Sequence, residues 1–255
     1  MTVRELYDYL NEKIPASLSC DWDNDGLMCC PCPDATVKKV LIALDVTVEV
    51  VKQAIEGDYD VILSHHPLIF SPLRALKPSD HVARKVIDLV RAGIAVMSFH
   101  TRLDAVSGGV NDTLAEALDL QNIEIFGENG ETIGRVGTLE NPITLAAFAA
   151  RIKQATGAEA VQVSDAGKPV YRVAVLGGSG SDDVRAARKA GADTYVSGEL
   201  KHNYLTDAPE YGMNLVAAGH FYTENVVCDR LRAWVLEADA GISADVTNSN
   251  PTQFF

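Results

Sequence analysis

The stretch Val61-Ile62-Leu63-Ser64-His65-His66-Pro67 indicates what kind of fold this chain adopts. Its apolar, β-branched beginning predicts a short buried strand. Pro67 cannot continue a central strand, so the two histidines lie where strand becomes loop. In parallel α/β sheets, ligands bind at this carboxyl edge. Two buried imidazoles both require partners, and a metal ion would serve both. The alternative is a surface turn that happens to contain two histidines.

The composition limits the possible classes of protein. The chain has 255 residues, of which 47% are hydrophobic and 22% charged, so it can form one large soluble domain or two modest ones. No apolar stretch reaches the roughly 18 residues of a membrane span, and the N-terminal segment lacks a signal-peptide core. We therefore expect a cytoplasmic protein with no membrane partner. The net charge of −13 makes a nucleic-acid partner unlikely, because phosphate neutralisation needs a basic face.

The five cysteines do not predict a disulfide framework. Their number is odd and the chain is long. The segment Cys29-Cys30-Pro31-Cys32 lacks a second cysteine pair at zinc-site spacing, so we interpret it as an ordinary loop. A soft-metal site and a site of oxidation are the alternatives.

A pattern of strand, helix, strand, helix, strand occurs twice in the chain. The predicted strands of the two copies are 40–45, 61–64 and 93–99, and then 173–178, 194–199 and 212–218. In each copy a histidine follows the third strand, His100 in the first and His220 in the second. This recurrence in register indicates an internal duplication.

The predicted fold class is therefore α/β, with two similar α/β domains related by duplication. Alternating strands and helices predict parallel βαβ units with right-handed crossovers. We assign residues 1–125 plus 215–255 to the first domain and residues 126–214 to the second. The turn signal Asn129-Gly130-Glu131 lies between the two copies. We expect histidines at matching strand ends to converge on a cleft between the domains, where a metal site would lie.

Carboxylates repeat with the histidines. Asp104 follows His100 by four residues, and Glu224 follows His220 at the same spacing. If a helix begins after the third strand of the second copy, His220 and Glu224 share one helix face. Mixed histidine and carboxylate sets suit divalent first-row ions, and carboxylates can bridge two of them. We predict a centre of two divalent metal ions, with zinc, iron, manganese, nickel and cobalt not distinguished. The predicted ligands are His65, His66, Asp104, His220 and Glu224.

Two further histidines, His100 and His202, are the candidate catalytic acid–base residues. The alternative for both is an ordinary hydrogen-bonded histidine. Asp45 either caps the helix that follows it or holds a ligand histidine, and we favour the structural role. Trp22, in a turn-rich segment, either lines the cleft or fills the core.

The glycine-rich segment Gly177-Gly178-Ser179-Gly180-Ser181 has two interpretations. Its amides could hold an anion at a helix N-terminus, or it could be a tight turn with a serine cap. It matches neither the P-loop pattern nor the dinucleotide fingerprint.

Taken together, the motifs resemble the NIF-three-like family, whose members are often labelled GTP cyclohydrolase I type two homologues. The motifs that carry the resemblance are Trp22-Asp23-Asn24-x-Gly26-Leu27, Leu44-Asp45-Val46-Thr47, Ser64-His65-His66-Pro67, His100-Thr101-x-Leu103-Asp104, Gly108-Gly109-x-Asn111-Asp112, Gly177-Gly178-Ser179-Gly180, Ser197-Gly198-Glu199-Leu200-Lys201-His202 and Gly219-His220-x-x-Thr223-Glu224. The resemblance implies a two-metal centre between two similar α/β domains, with the same five ligands. It also implies a self-association into a toroidal homohexamer. One departure is Asp25, where relatives usually have valine or isoleucine.

Three classes of function are considered for this sequence, of which a regulatory interaction protein whose ring binds partners has no exposed apolar stripe to support it, and the other two are as follows. The first is a metal-dependent hydrolase whose small-molecule substrate is a nucleotide or related heterocycle, with a GTP cyclohydrolase-type reaction as one case. The second is a non-catalytic metal-binding scaffold or metal chaperone, which would need the same five ligands.

Overall fold

The computed structural model describes residues 1–127 and 133–253. The helices formed within these residues are α1 (Val3–Lys13), α2 (Val48–Glu56), α3 (His81–Ala92), α4 (Thr101–Ala105), α5 (Val110–Ala117), α6 (Leu145–Thr156), α7 (Val184–Lys189), α8 (His202–Tyr211), α9 (His220–Glu224) and α10 (Cys228–Ala238). The strands are β1 (Gly26–Cys29), β2 (Lys39–Ala43), β3 (Val61–Ser64), β4 (Ala95–Ser98), β5 (Gln121–Phe126), β6 (Gly134–Ile143), β7 (Gln162–Ser164), β8 (Val170–Ser179), β9 (Thr194–Glu199), β10 (Asn214–Ala217) and β11 (Ser243–Val246). The predicted turn Asn129-Gly130-Glu131 lies outside the described residues.

The chain divides into two compact units. Among the described residues, unit 1 consists of Met1–Leu103 and Cys228–Pro251, and unit 2 consists of Asp104–Val227 together with residues 252–253. This division differs from the predicted domains, because residues 104–125 and 215–227 belong to unit 2. The physical reason is pairing and packing: β10 pairs in parallel with β9, and α5 packs on β6 and β8.

Unit 1 contains a five-stranded sheet in the order β1-β4-β3-β2-β11. All its neighbouring strands are parallel except β1, which runs antiparallel to β4. The central strands are continuous apolar runs because both faces of a parallel sheet are covered. Helices α2 and α3 pack against the sheet, while α10 contacts both β2 and β11. Thr47 caps α2, and Asp80 caps α3, each through its side-chain oxygen.

The strand register of unit 1 aligns the last residues of its three central strands at one edge. Ala43, Ser64 and Ser98 are neighbours across β2, β3 and β4. Strand β3 ends at Ser64, so the following His65 and His66 leave the sheet at its carboxyl edge, as the sequence predicts. The segment after β4 leaves at the same edge.

Unit 2 contains a six-stranded mixed sheet in the order β5-β6-β8-β9-β10-β7. Strands β8, β9 and β10 are parallel, and the flanking strands are antiparallel to their neighbours. One apolar cluster joins this sheet to α5 and α6, and a second joins it to α7 and α8. Each unit thus has three consecutive parallel strands in sequential order. The predicted α/β class is confirmed, whereas the duplication stays a prediction.

None of the helices formed by residues 1–127 and 133–253 has the length and apolarity needed to cross a bilayer. Within the cysteine segment at the end of β1, Cys29 is buried and Cys32 is exposed. Burial raises the pKa of both the Cys29 and Cys30 thiols, which keeps them protonated and weakly nucleophilic at neutral pH.

Candidate metal centre

Three histidines gather at the carboxyl edge of the sheet in unit 1. His65 and His66 follow β3, and His100 follows β4. Each offers a ring nitrogen, and these atoms lie within 4.8 Å of one another. His65 is fully buried, while the side chains of His66 and His100 are 22% and 17% exposed. The group therefore combines close approach with a path to solvent.

The other ring nitrogen of each histidine is held by an acceptor. The Nδ1 atom of His65 lies 2.9 Å from the carbonyl oxygen of Phe99. The Nδ1 atom of His66 lies 2.7 Å from Oδ1 of Asp45, and that of His100 lies 2.8 Å from Oδ1 of Asp23. A carbonyl or an ionised carboxylate can only accept, so Nδ1 is the protonated nitrogen of the neutral ring and Nε2 is the nitrogen that could bind a metal. This is how proteins orient metal-ligating histidines.

Asp45 therefore holds a histidine, rather than having the favoured role of helix cap. Thr47 performs the capping, since its hydroxyl accepts from the amide of Val50 at 3.2 Å. The structure selects the alternative in which Asp45 supports His66. The sequence signal was the position of Asp45 just past the end of β2, at the same sheet edge as His66.

Asp23 is the corresponding support for His100. Its second oxygen accepts from the amide and hydroxyl of Thr101, at 3.0 and 2.6 Å. Burial raises the pKa of Asp23, but the hydrogen bonds from His100 and Thr101 outweigh it and hold the pKa well below its usual range. Asp23 therefore stays ionised opposite the His100 ring.

Asp25, the departure from the family pattern, has a structural partner. Its Oδ2 accepts from Nε of Arg102 at 3.1 Å and from the His100 amide at 3.2 Å. Arg102 is 1% exposed and also donates to the Ile14 carbonyl and to Asn11. A buried guanidinium requires such a counter-charge, so Asp25 compensates Arg102 while fixing the backbone before His100.

In unit 2, His220 and Glu224 lie on one face of α9, as their spacing predicts. The Nε2 atom of His220 lies 3.0 Å from Oε2 of Glu224, and its Nδ1 lies 3.2 Å from Oε1 of Glu199. Glu224 is 4% exposed, which is rare for a carboxylate unless it is paired or ligates a metal.

Two glycines make room for this pair. Gly178 has φ of 66°, and a Cβ atom there would lie 2.1 Å from Oε1 of Glu224 and 3.1 Å from Nε2 of His220. A Cβ atom on Gly177 would lie 3.1 Å from Cγ of Glu224. Only glycine allows the β8 backbone to approach these side chains so closely.

The glycine-rich segment directs its amides at side chains of the same unit. Gly177 donates to Oδ1 of Asn111 at 2.8 Å, and Gly178 donates to the hydroxyl of Thr223 at 3.1 Å. The amide of Gly180 donates to the hydroxyl of Ser197 at 2.9 Å. These donors are therefore engaged internally, which disfavours the anion-binding interpretation. The serine-capped tight turn is not formed either, because Gly177 and Gly178 belong to β8 and no serine side chain among the described residues caps the helical segments that follow.

Asp104 lies in α4 and is 8% exposed. Its carbonyl oxygen accepts from Nδ2 of Asn111 at 3.3 Å, and the same amide group receives the Gly177 donor. Asn111 is fully buried and so links the Asp104 backbone to the glycine segment beside Glu224. The sequence analysis did not assign Asn111 a role, and its occurrence after Gly108-Gly109 was the only signal.

His202 is separate from these groups. It is the exposed first residue of α8, and it belongs to none of the sets of close metal-ligating atoms found in the described ranges. Its catalytic assignment stays a prediction, as does that of His100.

The family model for Duf34/NIF3 (NGG1p interacting factor 3) matches residues 1–252. The chain belongs to the NIF3 family. It is 33% identical over 230 residues to a GTP cyclohydrolase 1 type 2 homolog of Clostridium acetobutylicum, covering 88% of this chain and 85% of that protein. It is 32% identical to the homolog of the same name from Streptococcus pneumoniae serotype 4, covering 98% of this chain and 96% of that protein.

Among solved structures, the NIF3 chain is similar to the hypothetical protein SA1388 of Staphylococcus aureus. The TM-score is 0.91 at 29% identity, and the match covers 100% of this chain and 99% of that one. The resemblance to the NIF-three-like family stated from the sequence is confirmed.

The donor atoms of this NIF3 chain suit a divalent metal. Unit 1 offers imidazole nitrogens whose tautomer is already set, and unit 2 offers an imidazole beside a buried carboxylate. Because Gly178 has no side chain, space is left beside its backbone for the Glu224 carboxylate. Nitrogen and carboxylate oxygen together suit zinc, iron, manganese, nickel or cobalt.

Proposed function

We propose that this chain is a metal-dependent hydrolase with a dinuclear centre that acts on a nucleotide or related heterocycle. The observation that supports the proposal is the anchoring of Nδ1 on His65 and His66, which leaves each Nε2 available as a ligand. The proposed ligands are His65, His66, Asp104, His220 and Glu224.

The proposed chemistry assigns distinct tasks to these residues. When bound, two divalent ions acidify a coordinated water and polarise an electrophilic centre. The histidines and carboxylates would hold the ions. His100 has a different task, because Asp23 fixes its Nδ1–H and leaves Nε2 to accept a proton from water and return it to the leaving group. The ionised Asp23 would stabilise the imidazolium formed in between.

The names of relatives support a first choice of substrate. The homologs from Clostridium acetobutylicum and Streptococcus pneumoniae are called GTP cyclohydrolase 1 type 2 homologs. We propose that a purine nucleotide is the first substrate class to assay, with simple phosphoester hydrolysis scored alongside ring opening.

The test combines metal analysis with a substrate panel. We expect about two metal ions per wild-type chain and turnover of at least one nucleotide. We expect His66→Ala to lose metal and activity together. His81→Ala is the matched control, because His81 is an exposed first residue of α3 and contributes to no close ligand group in the described ranges. Activity that survives metal removal would refute the hydrolase. Full metal content with no turnover on any substrate would instead favour the scaffold or chaperone.

A second assay addresses the acid–base assignment. We expect His100→Gln and His202→Gln to retain metal while lowering kcat. Loss of metal in His100→Gln would instead make His100 a ligand, which its position beside His65 and His66 also allows.

We also propose that the chain forms a toroidal homohexamer in the cytoplasm. Light scattering should then give about six times the chain mass of 27.4 kDa. A monomeric or dimeric mass would refute this assembly.

A further inference from the structure

Two large aromatic side chains lie exposed beside the histidine group of unit 1. Trp22 is 61% exposed and Phe70 is 54% exposed. The two rings contact each other with centroids 6.2 Å apart. Each also meets His100 edge-on, with centroids 6.1 Å apart in both cases. Exposing so much aromatic surface sacrifices hydrophobic stabilisation, which calls for a functional reason.

Hydrogen bonds hold the Trp22 turn in place. The turn is closed by the Asp23 amide, which donates to the Cys20 carbonyl at 3.0 Å. The Cys20 amide donates to the hydroxyl of Thr101 at 3.0 Å, and Asp23 binds His100. The turn is therefore fixed at both ends to the residues that follow β4.

The Phe70 loop is tied to the same turn. The side-chain amide of Asn24 donates to the carbonyl of Ile69, the residue before Phe70. The two aromatic rings are thus placed by neighbouring backbone hydrogen bonds, although both are largely exposed. A surface fixed in this way loses little entropy when a flat ligand binds.

The ring geometry decides how a ligand would bind. Trp22 and Phe70 are already in contact at 57°, so a third ring cannot insert between them. More than half of the surface of each residue is exposed, and an aromatic face stacks on any flat heteroaromatic ring. Neither ring carries a charge, so they recognise the ring of a ligand and not its phosphate.

We propose that Trp22 and Phe70 form a stacking platform for the heteroaromatic base of the substrate, beside the candidate proton carrier His100. This inference rests on the proposed function, since it identifies the part of the substrate bound outside the metal ligands. Trp22 and Phe70 are positioning residues in this proposal.

The test uses guanosine as a probe of the base and ribose 5-phosphate as a probe without it. The chain has two tryptophans, and Trp234 is only 7% exposed, so guanosine should quench fluorescence mainly from Trp22. Calorimetry should show that Trp22→Leu weakens guanosine binding about 5- to 100-fold, the range typical of lost base stacking. Trp22→Phe should restore most of the affinity. Tyr171→Leu is the control, because Tyr171 is 41% exposed on β8.

Kinetics separate this proposal from the hydrolase itself. With an active nucleotide, Trp22→Leu should raise KM with kcat and metal content little changed. Turnover with an unchanged KM in Trp22→Leu would overturn the platform and leave the hydrolase standing. Guanosine binding that depends on Trp22, without any turnover, would support the platform and refute the hydrolase. A Trp22→Leu protein that changes its oligomeric mass but binds guanosine normally would also overturn the platform, since the rings would then form a subunit interface.

Discussion

Replacing Gly178 with alanine should strain the backbone and also displace a candidate metal ligand. Comparison with a matched glycine substitution elsewhere should separate the two effects. Gly178 has φ of 66°, a conformation that costs alanine about 1–2 kcal/mol. For a protein of this size, that corresponds to a fall in Tm of about 2–8 °C. This part of the effect comes from the backbone alone.

The second part comes from the contact with Glu224. The new Cβ atom would lie 2.1 Å from Oε1 of Glu224. A comfortable carbon–oxygen contact is about 3.3 Å, so the carboxylate must move by about 1 Å. Metal sites tolerate displacements of only about 0.5 Å. We therefore expect zinc affinity to fall at least about tenfold, comparable with the loss of an outer-shell partner.

Gly157→Ala supplies the matched control. Gly157 ends α6 with φ of 76°, and a Cβ atom there would meet nothing within 4 Å. Its Tm should fall by a similar amount, while zinc affinity measured by competition with a chromogenic chelator stays unchanged. Wild-type zinc affinity in Gly178→Ala, or an equal loss in Gly157→Ala, would refute the reasoning.

Three further predictions concern the two aspartates that hold His66 and His100 and one buried ion pair. Asp45→Ala removes the acceptor at Nδ1 of His66, and chelator competition should show metal affinity about 10- to 100-fold lower. Because the pKa of Asp23 is held below its ordinary value of 3.8, its ionised form stabilises the fold at neutral pH. That contribution begins to fall as pH drops below 3.8, and it is lost only at the lower pH where Asp23 is protonated in the folded protein as well. Urea unfolding of metal-free Asp23→Asn should therefore show a deficit of about 1–3 kcal/mol at pH 7 that narrows toward pH 3; a deficit that grows on acidification would contradict this sign. Arg135 is buried and forms an ion pair with Asp112, so Arg135→Met should cost about 3–5 kcal/mol in urea unfolding. Arg172 pairs with Glu124 at a more exposed site, so Arg172→Met should cost less than about 1 kcal/mol.

Local patterns were sufficient to predict the strand ends and the short-range pairs. The β-branched run before Pro67 predicted β3 and the place where His65 and His66 leave the sheet. The spacing of four residues predicted that His220 and Glu224 share a helix face. Each inference depends on the geometry of a single strand or helix, and a short run of consecutive residues is enough to predict that geometry.

The supporting acceptors could not be predicted in the same way. Asp23 is 77 residues from His100, and Asp45 is 21 residues from His66. Their pairing depends on strand order and on loop paths, which no local pattern specifies. The Gly177 amide likewise donates its hydrogen bond to Asn111, which is 66 positions away in the sequence.

The last strand of unit 1 has a consequence for how the protein is made. Strand β11 pairs with β2 across about 200 positions of sequence, and its register runs from Ser243 to Val246. During synthesis, β2 is made about 200 residues before β11. The edge of β2 that pairs with β11 therefore stays unpaired until the segment of unit 2 between them has been made. An uncovered, apolar parallel edge invites pairing with other nascent chains. A truncation that removes Ser243 to Val246 would leave the β2 edge without its parallel partner.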